Sequence, residues 1–443
     1  MPTDAPIREV IDLTNPAANV IFNMTVEEAR LRVAEGDAKS VREIDGQFAL
    51  VAQRGIAVRM ARSLGVPLRY FVAKRADGPA LVVSDRIASV RQWLEAEGLG
   101  DQFHPSYTRM APAHYVTQIR LVGCPDPNPT YERFFTPRRE SLEPDIAAIG
   151  HKYVAALDRE ITQWLERLPV DAPIGVCFSG GIDSGSVFLV TYSAMLRLGL
   201  NPARLKAFSL SVEGGGEDLE QARRFLADLD LQLFLEPVEV PAHALDYVEA
   251  VRVIEDYKPL DIEAGAMTLA LCGGIRDRYP DWKYLIDGDG GDENLKDYPI
   301  EENPELTIRS VLNNLMLYHE GWGVDSIKHS LTYSGGLSRG CTRTYAPATK
   351  LGFAAFSPYK LPNVIEVAEG IPFIALTQWQ HDRLYDLKGE IAAHGVKAVT
   401  GLDMPVFEKR RFQHGAAHDD LLANRFPDSP AAYRQVFDAA FRS

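Results

Sequence analysis

Cysteine is scarce in this chain. Cys124, Cys177, Cys272 and Cys341 are the four present in 443 residues, and no two form a C-x-x-C pair. That spacing argues against a disulfide framework or a structural zinc site, and points to a reducing compartment, the cytoplasm. Positive charge is also short: 47 Lys and Arg stand against 61 Asp and Glu, a formal net charge of -14. A nucleic-acid partner would receive no electrostatic help. No apolar run is long enough to cross a bilayer. The opening M-P-T-D-A-P-I-R-E lacks the basic start and apolar core of a signal peptide. Internal repeats and low-complexity tracts are missing as well. What is plentiful is apolar side chain, 46% of residues, enough for sizeable cores; the length suggests two or three domains.

The most informative stretch is Pro173 to Val190, P-I-G-V-C-F-S-G-G-I-D-S-G-S-V-F-L-V. Ile174 to Phe178 reads as a buried parallel strand. Ser179, Gly180 and Gly181 form a tight turn, and from Ser184 onward the apolar spacing predicts a helix. Such a loop aims backbone N–H groups at an anion, and the helix N-terminus adds positive potential. The motif S-G-G-x-D-S has no lysine of the Walker kind. It places Asp183 inside the loop instead. A carboxylate beside phosphates is explained by a Mg²⁺ held between them. This motif resembles the PP-loop of ATP pyrophosphatases, which split ATP into AMP and pyrophosphate. A second Ser-Gly-Gly, at Ser334 to Gly336, lacks the strand and the Asp, and reads as a loop.

Around this stretch, strands alternate with helices. Leu205 to Val212, Leu231 to Val240 and Tyr284 to Asp287 read as further strands. Helices are expected to about Asp230, over Ala242 to Glu255, over Ile262 to Arg278 and over Glu305 to His319. This alternation predicts a doubly wound parallel sheet, an α/β fold with a helical C-terminal part. Ligands of such sheets sit at the C-terminal strand ends, which brings Ser179, Val212 and Gly288 to one rim. Leu142 to Leu168 has helical spacing and joins this half to what precedes it. Residues 1 to about 140 look β-rich, with short apolar runs at Gln47 to Gln53, Leu68 to Ala73 and Leu81 to Ser84. The expected division is a smaller β-rich domain over 1–140 and an ATP-binding domain over 141–443.

A second constellation, Asp287-Gly288-Asp289-Gly290-Gly291-Asp292-Glu293, follows directly after a predicted strand. Four carboxylates in seven residues are costly unless a cation or a proton relay uses them. A solvated acidic turn is the other reading of this run taken alone.

Taken together these motifs resemble the asparagine synthetase family, which includes β-lactam and carbapenam synthetases. The acidic run resembles the family's S-G-E-G-S-D-E loop. Phe356 to Gly370 looks like its V-P-F-L-D segment and following helix, and Ala432 to Phe441 like its C-terminal helix. Phe407 to Gly415, F-E-K-R-R-F-Q-H-G, resembles R-Q-K-E-Q-F-S-D-G. The resemblance implies ATP bound by Ser179, Gly180, Gly181, Asp183, Ser184, Leu210 and Gly288. It implies Mg²⁺ on Asp183 and Asp292, with Asp289 at the catalytic glutamate position and Lys409 at the active-site lysine. A lysine in a basic run is by itself more often a solvated face. Glu263, in P-L-D-I-E-A-G, aligns with an arginine that helps bind aspartate in the family. The reversed charge suits a substrate presenting an amine or guanidine; helix packing or a surface salt bridge explains Glu263 equally well.

Before residue 140, I-D-G-Q-F-A-L-V, A-R-S-L-G-V-P-L-R-Y-F and V-V-S-D-R-I look like the later half of a class II glutamine amidotransferase domain. Those domains begin with a catalytic cysteine after the initiator Met. Here position 2 is Pro and no cysteine precedes Cys124. A glutaminase needs its thiolate. The expectation is a degenerate domain without glutaminase activity, the other reading being an unrelated β-sandwich. The function expected is therefore an AMP- and pyrophosphate-forming ligase that joins a small carboxylic acid to an amine or ammonia. No nucleic-acid or membrane partner is expected, and a homodimer is the candidate assembly. A tRNA-modifying PP-loop enzyme and a non-catalytic scaffold are the alternatives.

Overall fold

The structure is a computed structural model that describes residues 9–120, 129–297, 307–313, 341–407, 415–417 and 419–441. The chain divides into two compact units. Among the described residues, 9–120, 129–136 and 435–441 belong to one, and 137–297, 307–313, 341–407, 415–417 and 419–434 to the other.

The first unit is β-rich. One four-stranded sheet runs Glu9–Leu13, Ala80–Ser84, Arg69–Ala73, Arg109–Met110. Its first pair is parallel and the others antiparallel. The other sheet runs Thr130–Arg133, Tyr115–Arg120, Ala57–Arg62, Ala49–Arg54, all antiparallel. Phe71, Ala73, Ala80 and Val82 pack against Val90 and Leu94 of the Ile87–Ala96 helix. The apolar runs at 68–73 and 81–84 thus form strands whose residues two apart share a face that this core buries, and the run at 47–53 forms strands in its own pairings.

The second unit is built on a five-stranded, wholly parallel sheet. Across the sheet the order is Leu235–Val240, Leu205–Val212, Ile174–Cys177, Tyr284–Ile286, Ala354–Phe356. In chain order that is 3-2-1-4-5, the doubly wound arrangement. The direction of winding reverses between Ile174–Cys177 and Tyr284–Ile286, which opens a crevice at their C-terminal ends. The fifth strand ends at Phe356, where the segment read as part of the family's V-P-F-L-D region begins, and was not expected. It is three residues long, too short for a periodic signal, and its pairing with Tyr284–Ile286 creates it.

The helices fall close to their expected places. Asp145 caps Ile146–Arg167 by accepting from the Ala148 N–H, and Ile149, Tyr153, Leu157, Ile161 and Leu165 form its buried stripe. The first sheet helix is Ile182–Arg197, starting a half-turn before the expected Ser184. Ala242 to Glu255 is a 3₁₀ turn followed by Tyr247–Ile254, because Asp246 accepts from Val248 and Glu249 N–H groups and restarts the helix. Pro at the first position starts the next helix early, as Pro259–Arg278. Of the stretch 305–319, Ile308–Asn313 is helical within the described residues. Ser334 to Gly336 lies outside them.

One helix crossing fixes much of the site. Ile146–Arg167 meets His381–Thr400 where Gly150 and Gly395 face each other. A Cβ at Gly150 would sit 2.4 Å from the Ile391 carbonyl oxygen, and one at Gly395 would sit 2.2 Å from that of Gly150. The two backbones approach so closely that only glycine fits. Among the described residues no helix is long and apolar enough to cross a membrane.

Candidate functional site at the sheet switch point

The loop after the first strand is held by its own serines. The Ser179 N–H donates to Ser184 Oγ at 3.2 Å, the two hydroxyls lie 3.1 Å apart, and the Gly181 N–H donates to Ser179 Oγ at 3.3 Å. Gly180 takes φ +72°, a conformation that favours glycine, and a Cβ there would also strike the Ala222 backbone nitrogen at 2.8 Å. The helix Asp218–Ala227 therefore buttresses the loop, and Gln221 Nε2 reaches the Ser179 carbonyl at 3.5 Å. No side chain caps the start of Ile182–Arg197. Its first-turn N–H groups and positive dipole end suit an anion, and Asp183 lies in that same first turn.

The acidic loop follows the neighbouring strand and presses against this one. A Cβ on Gly291 would sit 2.2 Å from Asp183 Oδ1, and one on Gly288 2.9 Å from the Ser184 nitrogen. Glycine at both positions lets the loops touch. Asn294 ties down the short Gly291–Leu295 helix, donating through Nδ2 to Tyr153 Oη at 3.2 Å and to the Tyr359 carbonyl at 3.0 Å.

Between the loops stands Lys388, which the sequence reading did not single out. Its side chain is 3% exposed. Nζ donates to Asp183 Oδ2 at 2.6 Å and to Asp292 Oδ1, and lies 3.2 Å from Asp297 Oδ2. Burial pushes this ammonium towards neutrality. Asp183, Asp292 and Asp297 outweigh that effect and hold its pKa well above the ordinary lysine value. In sequence Lys388 is one lysine of an amphipathic helix. The available signal was its neighbour Gly389, a glycine inside a helical pattern, which marks close packing. A Cβ there would meet Val406 at 3.1 Å.

A second ionic group lies on the other side of the acidic loop. The Asp289 N–H donates to Asp287 Oδ1 at 3.0 Å, and Ser357 Oγ donates to Asp287 Oδ2 at 2.9 Å. Lys360, buried, donates to Ser357 Oγ at 3.2 Å and lies 3.8 Å from Asp289 Oδ2. Burial, with Asp289 adding to it, pushes the Asp287 carboxyl up to about 7. Burial raises Asp289 too, while Lys360, Thr344 and Arg343 pull it back.

The remaining expected residues are placed as follows. Leu210 is buried in the second strand, paired with Val238 and two residues short of the strand end. Glu263 is half-buried, and its charge acts on the buried Tyr433, whose hydroxyl is raised first by burial and then by Glu263. Asp261, two residues earlier and so on nearly the opposite face of the helix, is the one that meets Arg343, at 3.8 Å. Lys409 lies outside the described residues. Before it, Phe407 packs beneath Arg224 and beside Phe225; after it, Gly415 lies tight against Asp218.

Asp183 and Asp292 converge on a single cation, the Lys388 ammonium. Among the described residues no group of three or more His, Cys, Asp or Glu is arranged to hold a metal. A pair of hard carboxylate oxygens fits Mg²⁺, which is commonly held by one or two carboxylates with phosphate oxygens completing its shell.

Two phosphate-scale loops thus meet at the switch point of a parallel sheet, one of them carrying S-G-G-x-D-S. Residues 159–335, which include both loops, match the asparagine synthase family. The matched stretch is an asparagine synthase domain. With it comes an enzyme of the ligase kind, ATP-dependent and amide-forming in general. No curated protein matches the chain.

Proposed function

We propose that this asparagine synthase-like chain is an AMP- and pyrophosphate-forming ligase for small molecules in the cytoplasm, acting without a glutaminase of its own. It adenylates a substrate carboxylate and transfers the acyl group to an amine or ammonia. The supporting observation is the contact between the Ser179–Ser184 loop and the acidic loop, which gathers Asp183, Asp292 and Lys388 at one point.

In this reading the triphosphate lies along the Ser179, Gly180 and Gly181 turn, with Ser184 and the helix start beneath it and the adenosine against Gly288 and Leu210. Asp183 and Asp292 would hold Mg²⁺, which when bound offsets phosphate charge. Lys388 supplies a further fixed positive charge where pyrophosphate leaves. The substrate carboxylate attacks the α-phosphorus and pyrophosphate departs. Lys409 stabilises charge developing on phosphate or acyl oxygens. The amine then attacks the acyl carbon, and Asp289 takes its proton. Residues 141–443 form the synthetase part and 1–140 a degenerate amidotransferase-like part. An acidic residue near the acyl site, Glu263 in the sequence reading, suits a substrate bearing an amine or guanidine.

The experiment is ATP–pyrophosphate exchange over a panel of amino and oxo acids, with Mg²⁺, with and without ammonium. One acid class should drive exchange, and glutamine should yield no glutamate. Asp183→Ala should abolish exchange while the chain stays folded. Exchange at the wild-type rate in that variant, or glutamate released in step with AMP, would overturn the reading.

A further inference from the structure

The family loop S-G-E-G-S-D-E has serine where this chain has Asp287, so the chain carries a carboxylate in addition to Asp289 on the same turn. An added buried carboxylate is costly unless a cation is added with it. Here Lys360 is that cation. It is fully buried and tied through the Ser357 hydroxyl to Asp287, with its Nζ 3.8 Å from Asp289. Asp289 Oδ2 is buried and accepts no hydrogen bond. Thus Asp289 has one oxygen unspent, and its charge state answers to neighbours fixed in place.

We propose that Lys360 and Asp287, linked through the Ser357 hydroxyl, together position Asp289 and set the pH at which it accepts the amine's proton. This deepens the ligase reading and rests on it. In the step concerned, the amine nitrogen forms its bond to the acyl carbon and the acyl–oxygen bond to AMP breaks. The nitrogen's proton passes to Asp289, and AMP leaves. Asp289 must be ionised to take that proton. Burial opposes ionisation, Lys360 favours it and Asp287 opposes it.

The other groups facing the pair are known. On Asp289 act Thr344 and Arg343 from the Cys341–Tyr345 turn and Glu293 from the Gly291–Leu295 helix. The half-buried Cys177 thiol faces both carboxylates and the buried Cys272 thiol faces Asp287; burial is the first cause raising both pKa values.

The test is the pH profile of amide formation, with ammonium as the amine and an acid that supports ATP–pyrophosphate exchange. Lys360→Met should move the acidic limb to higher pH by about one unit, a tenfold loss on that limb. Asp287→Ser should move it to lower pH. The double variant should return it towards wild type, because the two charges cancel. Protection from thermal unfolding by ATP shows that each variant is folded. Unshifted limbs in folded single variants, or shifts of the same sign, would overturn the inference. Failure of the wild-type chain to form AMP with any acid would instead overturn the ligase reading beneath it.

Discussion

Replacing Lys388 by methionine removes one charge and almost no volume, and its cost can be worked from the surroundings. Nζ touches three carboxylates of unequal exposure. Asp297 is 6% exposed, Asp183 21% and Asp292 35%. Water screens Asp292 once the lysine is gone, so its share is small. Asp297 has no such relief, and Asp183 only a little. Leaving a buried carboxylate without its cation costs about 3–5 kcal/mol. Urea unfolding should show that loss as a lower midpoint with an unchanged slope. At about 2 °C per kcal/mol, the value for larger domains, the melting point falls by roughly 6–10 °C. Mg²⁺ should then stabilise the variant more than the wild type, since the carboxylates have lost their resident cation. At a hundred times its Kd that gain is about 2.7 kcal/mol. A midpoint within error of wild type, or an equal response of both proteins to Mg²⁺, would refute this account of the site.

Two more substitutions probe the loops. Gly291→Ala puts a Cβ where Asp183 Oδ1 now lies, 2.2 Å away, so the carboxylate must swing aside; ATP–pyrophosphate exchange should drop by about a hundredfold, and exchange within twofold of wild type would show that Asp183 is not needed in its present place. Lys409→Met should lower kcat about a hundredfold with little change in the KM for ATP, as expected for a contact made mainly in the transition state; a rise in KM alone would assign the lysine to ground-state binding.

The half built on the parallel sheet was largely legible because its signals are local. A β-branched apolar run, a serine-glycine turn and a helix period lie within eighteen consecutive residues, and each depends on backbone sterics and near neighbours. The acidic run after Tyr284–Ile286 is equally compact, and the order of strands and helices implied a parallel sheet. The N-terminal strands were legible for the same reason, since their short apolar runs, buried nearly throughout in Arg69–Ala73 and Ala80–Ser84, are written residue by residue.

Tertiary structure alone decided the rest, because those features join residues far apart in the chain. Lys388 lies 205 positions from Asp183 and 96 from Asp292, and the charge reads as a solvated helix face until a Gly150–Gly395 crossing buries it. The Asp287–Ser357 step of the link to Lys360 spans 70 residues and exists only because a three-residue strand pairs with Tyr284–Ile286. Asp261 and Glu263 look alike in sequence, and the helix period turns them to opposite sides, one towards Arg343 and one towards Tyr433. Sequence sets which groups are available and what local backbone they prefer. Which charges share a buried space depends on long-range packing, and that packing fixes whether a lysine faces water or three carboxylates.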